Sequence, residues 1–578
     1  MKRTDLSARA SLLGLAAAIA ACASAAMAAE LDGTRLNNAA REPGNWPTYH
    51  GTYQSWHYSA LDQINKGNVS KLQEAWSHTA TRANRGLQGF PLAIDGVLYY
   101  SSPYNHVYAL DGATGKLLWA YEQKLDEELV ARQTHSPYNR GIAAGYGNIY
   151  IGTLDGKLAA IDMKTGKLNW ETKLIDSEKL TVGFTGAPLV VKDKVIIGSQ
   201  GGEWPYKGPL FGVDAKTGKK AWDFFTVGGD ENDKKAHASW GGDSWRTGGG
   251  GGWMAGAYDP ETNTVWWGTA NPNPLYDWAG DKWKTEGPRP GDNLYTTSVL
   301  LLDPDTGKLK AYHQEIPHDA WDFDSAVGEF MFIEKGGKKY VVHPNKGGFM
   351  FVYDRKGKPV NVYKGVDAIN FVKDIKDDGT LVGRRDLAEG EHKNLCPGIS
   401  GGYSWPSGTY DPKTGLLYRV GFEWCMDLKV VKTEPITEPV VQLNIGADFK
   451  MHGPGDKPPY GHIRARDPIT GKVKFEIPYK KAPPHASLLS TAGGLLFVPE
   501  ADGTLVAYDA SNGKKLWSKG GNLGHDGGII TYEAKGKQYV AVMTGWGSLV
   551  SDDYATLWGE PWKSMPKDQG VLKVYALK

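Results

Sequence analysis

The sequence predicts an all-β propeller of small sheets locked together by docked tryptophans. Two observations carry that prediction. A short turn motif returns along the chain at a period of about 50 residues, the spacing of propeller or solenoid units. The composition also holds 74 glycines and 21 tryptophans in 578 residues, a chain of tight turns and large aromatic anchors that favours many short strands over long helices.

Each copy of the motif is an apolar residue and Asp, then Thr-Gly-Lys, then Trp. It reads Leu110-Asp111, Thr114-Gly115-Lys116, Trp119, and again Ile161-Asp162, Thr165-Gly166-Lys167, Trp170. It returns at Val213-Asp214, Thr217-Gly218-Lys219, Trp222, and at Tyr508-Asp509, Asn512-Gly513-Lys514, Trp517. Two weaker copies, from Asp303 and Asp467, carry Tyr312 and Phe475 in place of the Trp. The physical reading is a hairpin: the Asp bonds its own turn backbone, the Gly supplies a positive φ, and the Trp packs against a neighbouring sheet. One such sheet cannot bury both faces, so several must close on each other, giving about seven or eight blades. The ending Val571-Leu572-Lys573-Val574-Tyr575-Ala576-Leu577 reads as a strand, expected to pair near Glu74-Ala75-Trp76 and fasten the ring.

Residues 1–28 are expected to lie outside the fold as a signal peptide, leaving a single domain over 29–578. Lys2, Arg3 and Arg9 precede the apolar run Leu12 to Ala21, and Ala26-Met27-Ala28 offers a cleavage site. Ile19-Ala20-Ala21-Cys22 also fits a lipoprotein box, a weaker reading because the small-residue stretch runs on past Cys22. No other stretch has the length of a transmembrane segment. A periplasmic location follows, and with it an oxidising compartment. Cys396 and Cys425 are therefore expected to form a disulfide closing a loop of about 30 residues, with two buried free thiols as the rival reading.

The charge count, 66 Lys+Arg against 65 Asp+Glu, leaves no basic excess and argues against a nucleic-acid partner. Cys-x-x-Cys-His, Walker and Gly-x-Gly-x-x-Gly helix-opening motifs do not occur, so haem and nicotinamide chemistry have no support. Residues 223–298 read as a long irregular insertion dense in Gly and Trp, running through Trp240, the glycines 248–252 and Trp253. Glycine beside a large aromatic allows close approach to something flat; a flexible surface loop is the equally weighted reading.

The runs Tyr258-Asp259-Pro260, Gly268-Thr269-Ala270-Asn271-Pro272, Arg289-Pro290-Gly291-Asp292-Asn293 and Pro317-His318-Asp319-Ala320-Trp321-Asp322-Phe323-Asp324, with the Trp repeats, carry a resemblance. Over essentially the whole mature chain the sequence resembles the pyrroloquinoline-quinone (PQQ) dependent alcohol dehydrogenases of the methanol and ethanol dehydrogenase type. The resemblance implies an eight-bladed β-propeller holding PQQ on its axis beside one metal ion. Glu203, Asn271 and Asp322 match the family's metal ligands, and Asp322 its catalytic base. Hard oxygen donors of this kind suit a hard cation. Asp324 matches the additional acid of the lanthanide-using members. In an extended segment Asp322 and Asp324 would share a side, and an added anion favours a trivalent ion; calcium is the alternative. Trp253 matches the indole on which the quinone stacks, and Arg140 and Thr185 match groups binding PQQ oxygens. Lys346 matches the cation beside the reactive carbonyl, where it assists catalysis.

Three positions depart from the family. Thr134-His135 stand where a vicinal disulfide covers PQQ, Gln88 stands where many members have Glu in the cofactor-binding pocket, and Gln200 replaces a Ser. A pocket for a bulky or cyclic alcohol is the expectation, not a methanol specialist. The implied function is oxidation of an alcohol to an aldehyde or ketone, with electrons passed to a soluble cytochrome c; homodimerisation stays open. The alternatives are a calcium-dependent quinoprotein acting on sugars or polyols, and a non-catalytic propeller scaffold.

Overall fold

The computed structural model describes residues 30–133, 137–180, 182–228, 233–276, 289–433, 436 and 445–578. The expected leader at 1–28, Cys22 and the pair Thr134-His135 lie outside the described residues. Among the described residues the chain folds into eight four-stranded antiparallel sheets, one of them extended by a fifth, parallel strand, Tyr58–Ser59. The first strands of the eight sheets are Leu92–Ile94, Ala143–Gly145, Leu189–Val191, Ala257–Asp259, Met331–Lys335, Thr409–Asp411, Leu489–Thr491 and Ile529–Ala534. Sheets 1 to 8 are numbered in that order. Among the described residues the longest helix, Leu549–Trp558, has 10 residues, and none is long and apolar enough to cross a membrane.

The turn motif acts as its composition demands. Asp111 Oδ1 accepts from the Ala113 and Thr114 amides and the Thr114 hydroxyl at 2.9–3.0 Å, and Asp162, Asp214 and Asp303 repeat the pattern. This Asx turn satisfies the hairpin backbone locally. Gly115, Gly166, Gly218 and Gly307 take φ of 70–73°, and the indole of the preceding sheet lies against each. A Cβ built on Gly166 would sit 2.7 Å from Trp119, and on Gly218 2.7 Å from Trp170. Trp119 and Trp222 also donate their Nε1–H to Met163 and Pro304 carbonyls of the following turn, so each tryptophan ties its sheet to the next. Tyr363 on Gly471 and Phe475 on Gly513 continue the series.

The series closes on itself. Leu72–Thr79 pairs with Val571–Leu577 in sheet 8, as the terminal strand predicted, and Trp76 of that sheet packs on Gly115 of sheet 1. Gly166→Val places a β-branched residue in a left-handed conformation and drives it into Trp119. It is expected to destabilise the protein by about 2 kcal/mol or more, read as a lower Tm, whereas a valine at Gly336, where a Cβ meets nothing, carries only the backbone cost.

Two readings are corrected. Residues 223–298 are not wholly irregular, because Ala257–Asp259 and Thr264–Gly268 supply the first two strands of sheet 4. Nor is the Asp322–Asp324 segment extended, since Asp322 has φ 68°. Cys396 and Cys425 are disulfide-bonded, 29 residues apart. The bond joins the small accessory sheet of Gly390–Leu395, Cys425–Val430 and Ala447–His452 to the segment that leads into sheet 6.

Candidate active site

A regularity of the backbone builds the site. The first strands of neighbouring sheets face one another, for example in sheets 2 and 3 and in sheets 6 and 7, and the residue three or four places before the first strand recurs at the centre. Gln88, Arg140, Thr185 and Trp253 hold that place in sheets 1 to 4, and Trp405, His485 and Asp526 hold it in sheets 6 to 8. These lead-in segments are stitched together by backbone hydrogen bonds: Arg140 N to Thr185 O at 2.8 Å, Leu488 N to Ser407 O at 3.0 Å, Ser487 N to Gly527 O at 3.2 Å and Gly528 N to Gly89 O at 2.9 Å. Sheet 5 differs: its lead-in is lengthened into the Pro317–Phe330 stretch that carries Asp322 and Asp324.

The acids meet around one lysine. Lys346, in the turn before Phe349–Asp354, donates to Asp322 Oδ2 at 2.7 Å, while Asp322 Oδ1 is buried without a partner. Asp324 accepts from Trp253 Nε1 at 2.7 Å and from the Asn271 amide at 2.8 Å. The Asn271 side chain donates to Pro272 O and leaves its Oδ1 buried and unpartnered. Asn271 lies directly on the Gly201-Gly202-Glu203 turn, where a Cβ on Gly202 would stand 2.0 Å from Asn271 Oδ1; only glycine allows this approach. The Asn273 amide holds the Glu203 carbonyl at 2.8 Å.

Burial pushes the Asp322 carboxyl well above its ordinary range, opposed by Lys346 and reinforced by Asp324 and Glu203. Glu203 is raised by burial and by Asp324, and the surrounding carboxylates hold Lys346 firmly protonated despite its burial. These acids therefore feel one another's charge. Among the described residues, however, no three His, Cys, Asp or Glu side chains form a ready-made metal cluster. What the site offers a hard cation is its chemistry: buried carboxylates that repel each other and two oxygens, Asp322 Oδ1 and Asn271 Oδ1, with unused lone pairs. The donor set fits.

The other side of the site is aromatic and cationic. The Arg140 guanidinium donates to Thr185 Oγ1 at 3.3 Å and lies 5.1 Å from the Trp253 ring, 4.5 Å from Tyr138 and 5.3 Å from Trp405. Its Nε is buried and unpartnered, as are Gln88 Oε1 and both polar atoms of Gln200. A flat, oxygen-rich anionic cofactor would satisfy such groups. The structure thus brings Arg140, Thr185 and Trp253 together, and Glu203, Asn271, Asp322, Asp324 and Lys346 beside them. Gln88 joins through its backbone, where Gly89 packs against Arg140 and Gly141.

Sequence reasoning missed Trp405, Ser404, His485, Asp526 and Glu315. Trp405, His485 and Asp526 share a signal it could have used, the offset of three or four residues from each sheet's first strand, and Ser404 is the neighbour of Trp405. Glu315 is buried and accepts from Ser325 Oγ at 2.6 Å, Asn345 Nδ2 at 3.0 Å and Tyr353 OH at 2.6 Å. It thereby ties the residue after Asp324 to the residue before Lys346. Burial raises its carboxyl to about 7. Because the folded state keeps this proton to higher pH than the unfolded chain, the linked stability is full below about 4.5, the unfolded value, and is lost as pH rises through 7. Glu423, about 7, and Asp553, about 6, act in the same sense. Measured against wild type, Glu315→Gln is expected to gain in Tm as pH rises from 5 to 8, because the variant no longer loses this contribution; an unchanged difference across that range would refute the assignment.

Residues 46–364 and 388–540 match the family described as PQQ: Glucose/ethanol/alcohol dehydrogenase, beta-propeller domain. The chain is 36% identical over 565 residues to a quinohemoprotein alcohol dehydrogenase of Comamonas testosteroni, covering 93% of this chain and 78% of that protein. It is 34% identical over 537 residues to a lanthanide-dependent methanol dehydrogenase of Methylacidiphilum fumariolicum, covering 88% and 85% respectively. A solved europium-containing methanol dehydrogenase matches the fold with a TM-score of 0.85 at 32% identity, over 94% of this chain and 100% of that one. The chain belongs to this family of PQQ-dependent propeller dehydrogenases. Within it, the protein is a quinoprotein alcohol dehydrogenase, an oxidoreductase acting on CH–OH groups.

Proposed function

We propose that the eight sheets are the blades of one ring, that the enzyme works in the periplasm, and that it oxidises an alcohol to an aldehyde or ketone with PQQ and one lanthanide ion on the axis. Electrons would then leave to a soluble cytochrome c. The observation that carries the reading is the Asp322–Lys346 pair with the free Asp322 Oδ1, set among Asp324, Glu203 and the orphaned Asn271 Oδ1. When bound, PQQ supplies the two-electron acceptor for hydride and the metal supplies Lewis acidity.

The chain's own residues supply the rest. Asp322 Oδ1 accepts the alcohol's hydroxyl proton while Oδ2 stays on Lys346. A neighbouring cation would offset the burial that raises this acid and keep it ionised. Lys346 keeps its charge and can stabilise negative charge developing on an adjacent oxygen. Trp253 offers a flat face fixed by its bond to Asp324, and Arg140, fixed on Thr185, offers a fork for carboxylates. Glu203 and Asn271 would hold the cation with Asp322 and Asp324, whose oxygens each keep a second lone pair beyond the observed hydrogen bonds.

The test is a dye-linked dehydrogenase assay on protein reconstituted with PQQ and either calcium or lanthanum, across methanol, ethanol, aromatic and cyclic alcohols. Turnover with lanthanum alone supports the full reading. Turnover with calcium alone keeps the quinoprotein and removes the lanthanide, and activity on sugars in place of alcohols would select the polyol alternative.

A further inference from the structure

On the arc of the ring away from the Asp322 cluster, sheets 6 to 8 place a second set of polar groups at the axis positions. Trp405 precedes sheet 6, His485 precedes sheet 7 and Asp526 precedes sheet 8, at the offsets where sheets 1 to 4 carry Gln88, Arg140, Thr185 and Trp253, and Ser404 is the residue before Trp405. Ser404 Oγ lies 3.0 Å from His485 Nε2, and His485 Nδ1 lies 2.9 Å from Asp526 Oδ1. Asp526 Oδ2 accepts from the Gly547 and Ser548 amides at 2.9 and 3.0 Å. The carboxylate fixes the proton on Nδ1, so Nε2 is left to accept from the Ser404 hydroxyl. His485 and Asp526 have no accessible surface, while Ser404 keeps 6%, which makes Ser404 the outer end of the chain.

This chain of groups adjoins the central site at two points. The ring of Trp405 meets His485 edge-on at 5.8 Å and lies under the Arg140 guanidinium. The Ser404 segment is pinned to the lysine, because Gly402 N donates to Lys346 O at 2.9 Å and Gly401 packs on the Lys346 side chain. Its register is fixed from behind by Arg419, which donates to the Ser404 carbonyl at 2.8 Å while paired with buried Glu329. A buried serine, imidazole and carboxylate in series is costly to hold; Asp526 also satisfies the Gly547 and Ser548 amides, but the bond between Ser404 Oγ and His485 Nε2 satisfies no backbone group.

We propose that Ser404, His485 and Asp526 form a proton relay that serves the ligand at the ring axis, separate from Asp322. Ser404 Oγ would take an O–H proton from the reduced cofactor as its own proton passes to His485 Nε2, with Asp526 stabilising the resulting imidazolium, whereas the alcohol's own proton goes to Asp322. One ligand O–H bond breaks, one N–H bond forms, and no electrons move. The relay rests on the reading of the axis as the PQQ and alcohol site. The charged and titratable groups packed about His485 are Asp526, Tyr554, and Asp553 on Ser400, with the Arg419–Glu329 pair behind Ser404 and Arg140 and Lys346 beyond Trp405 and Gly401.

The experiment uses the full chain with PQQ and metal. Binding of PQQ is followed by tryptophan fluorescence, and the His485 Nδ1–H by its low-field proton resonance. Wild-type protein is expected to bind PQQ and to shift that resonance on binding. Asp526→Asn is expected to abolish the resonance. Ser404→Ala, which deletes only the outer oxygen, is expected to leave the resonance but remove its response to PQQ, to lower turnover at least about tenfold and to move the pH profile, with Ser404→Thr restoring both. If wild type binds no PQQ, the site reading fails and takes the relay with it. If wild type binds PQQ but the resonance does not respond, or Ser404→Ala keeps the wild-type rate and pH profile, the relay is overturned while the site reading stands.

Discussion

Asp322→Asn is expected to lower kcat by about 10²–10⁴-fold, the usual range for loss of a general base, with the propeller intact by circular dichroism. The substitution keeps the side chain's volume and one hydrogen bond to Lys346, so the packing around Trp321 and Phe323 need not move. What it removes is a buried anionic acceptor with no partner: Oδ1 is unbonded, whereas both oxygens of Asp324 are already engaged. Lys346 then loses its closest anion but keeps the field of Asp324 and Glu203, so stability should fall less than for a wholly uncompensated buried charge, roughly 3–5 kcal/mol. Unchanged kcat in a folded variant would move the base elsewhere, and Ser404 would be the next group to examine.

Asp324→Ala is expected to remove turnover supported by lanthanum while sparing, or even creating, turnover supported by calcium. The reason is charge. With Glu203 and Asp322 the site offers two anions to a cation, and Asp324 makes three, which matches a trivalent ion and over-charges a divalent one. The same substitution leaves the Trp253 Nε1–H and the Asn271 amide without their acceptor, two buried donors worth about 1–3 kcal/mol each when orphaned. PQQ affinity should therefore weaken with either metal, because the indole that would face the cofactor is no longer tethered. Equal metal preference in the variant and the parent would exclude Asp324 from the metal's coordination.

The fold was legible because six of the eight sheets, all but 5 and 8, write their turn into the sequence. The tasks of Asp and Thr-Gly are local, and that of Trp needs only the glycine in the next sheet's copy of the same turn. The copies that were hard to see are those where the docked ring is Tyr363 or Phe475, since any large flat side chain can cover a glycine. The strands inside 223–298 were hidden because Ala257–Asp259 has only three residues, too few for a period to register. The metal-side residues were recognisable through long motifs. Trp405, His485 and Asp526 were not, because a lone Trp, His or Asp carries no pattern until the first strands are located and the offset becomes visible. The φ of 68° at Asp322 was equally invisible: alternation in a strand was assumed where the backbone turns.

The pairing of Leu72–Thr79 with Val571–Leu577 also bears on how the molecule comes into being. A polypeptide that emerges amino end first carries Leu72–Thr79 without its sheet partner until Val571–Leu577 has been made. Sheet 8 is completed only when Val571–Leu577 arrives, and the site groups on Gln88, Arg140, Trp253, Lys346 and His485 come from separate sheets that must first assemble. Folding is governed by contacts hundreds of residues apart, which are slow to find. A chain shortened by its final strand should accumulate as an open, association-prone intermediate with an unpaired edge, and no partially made enzyme should be able to capture its cofactor early.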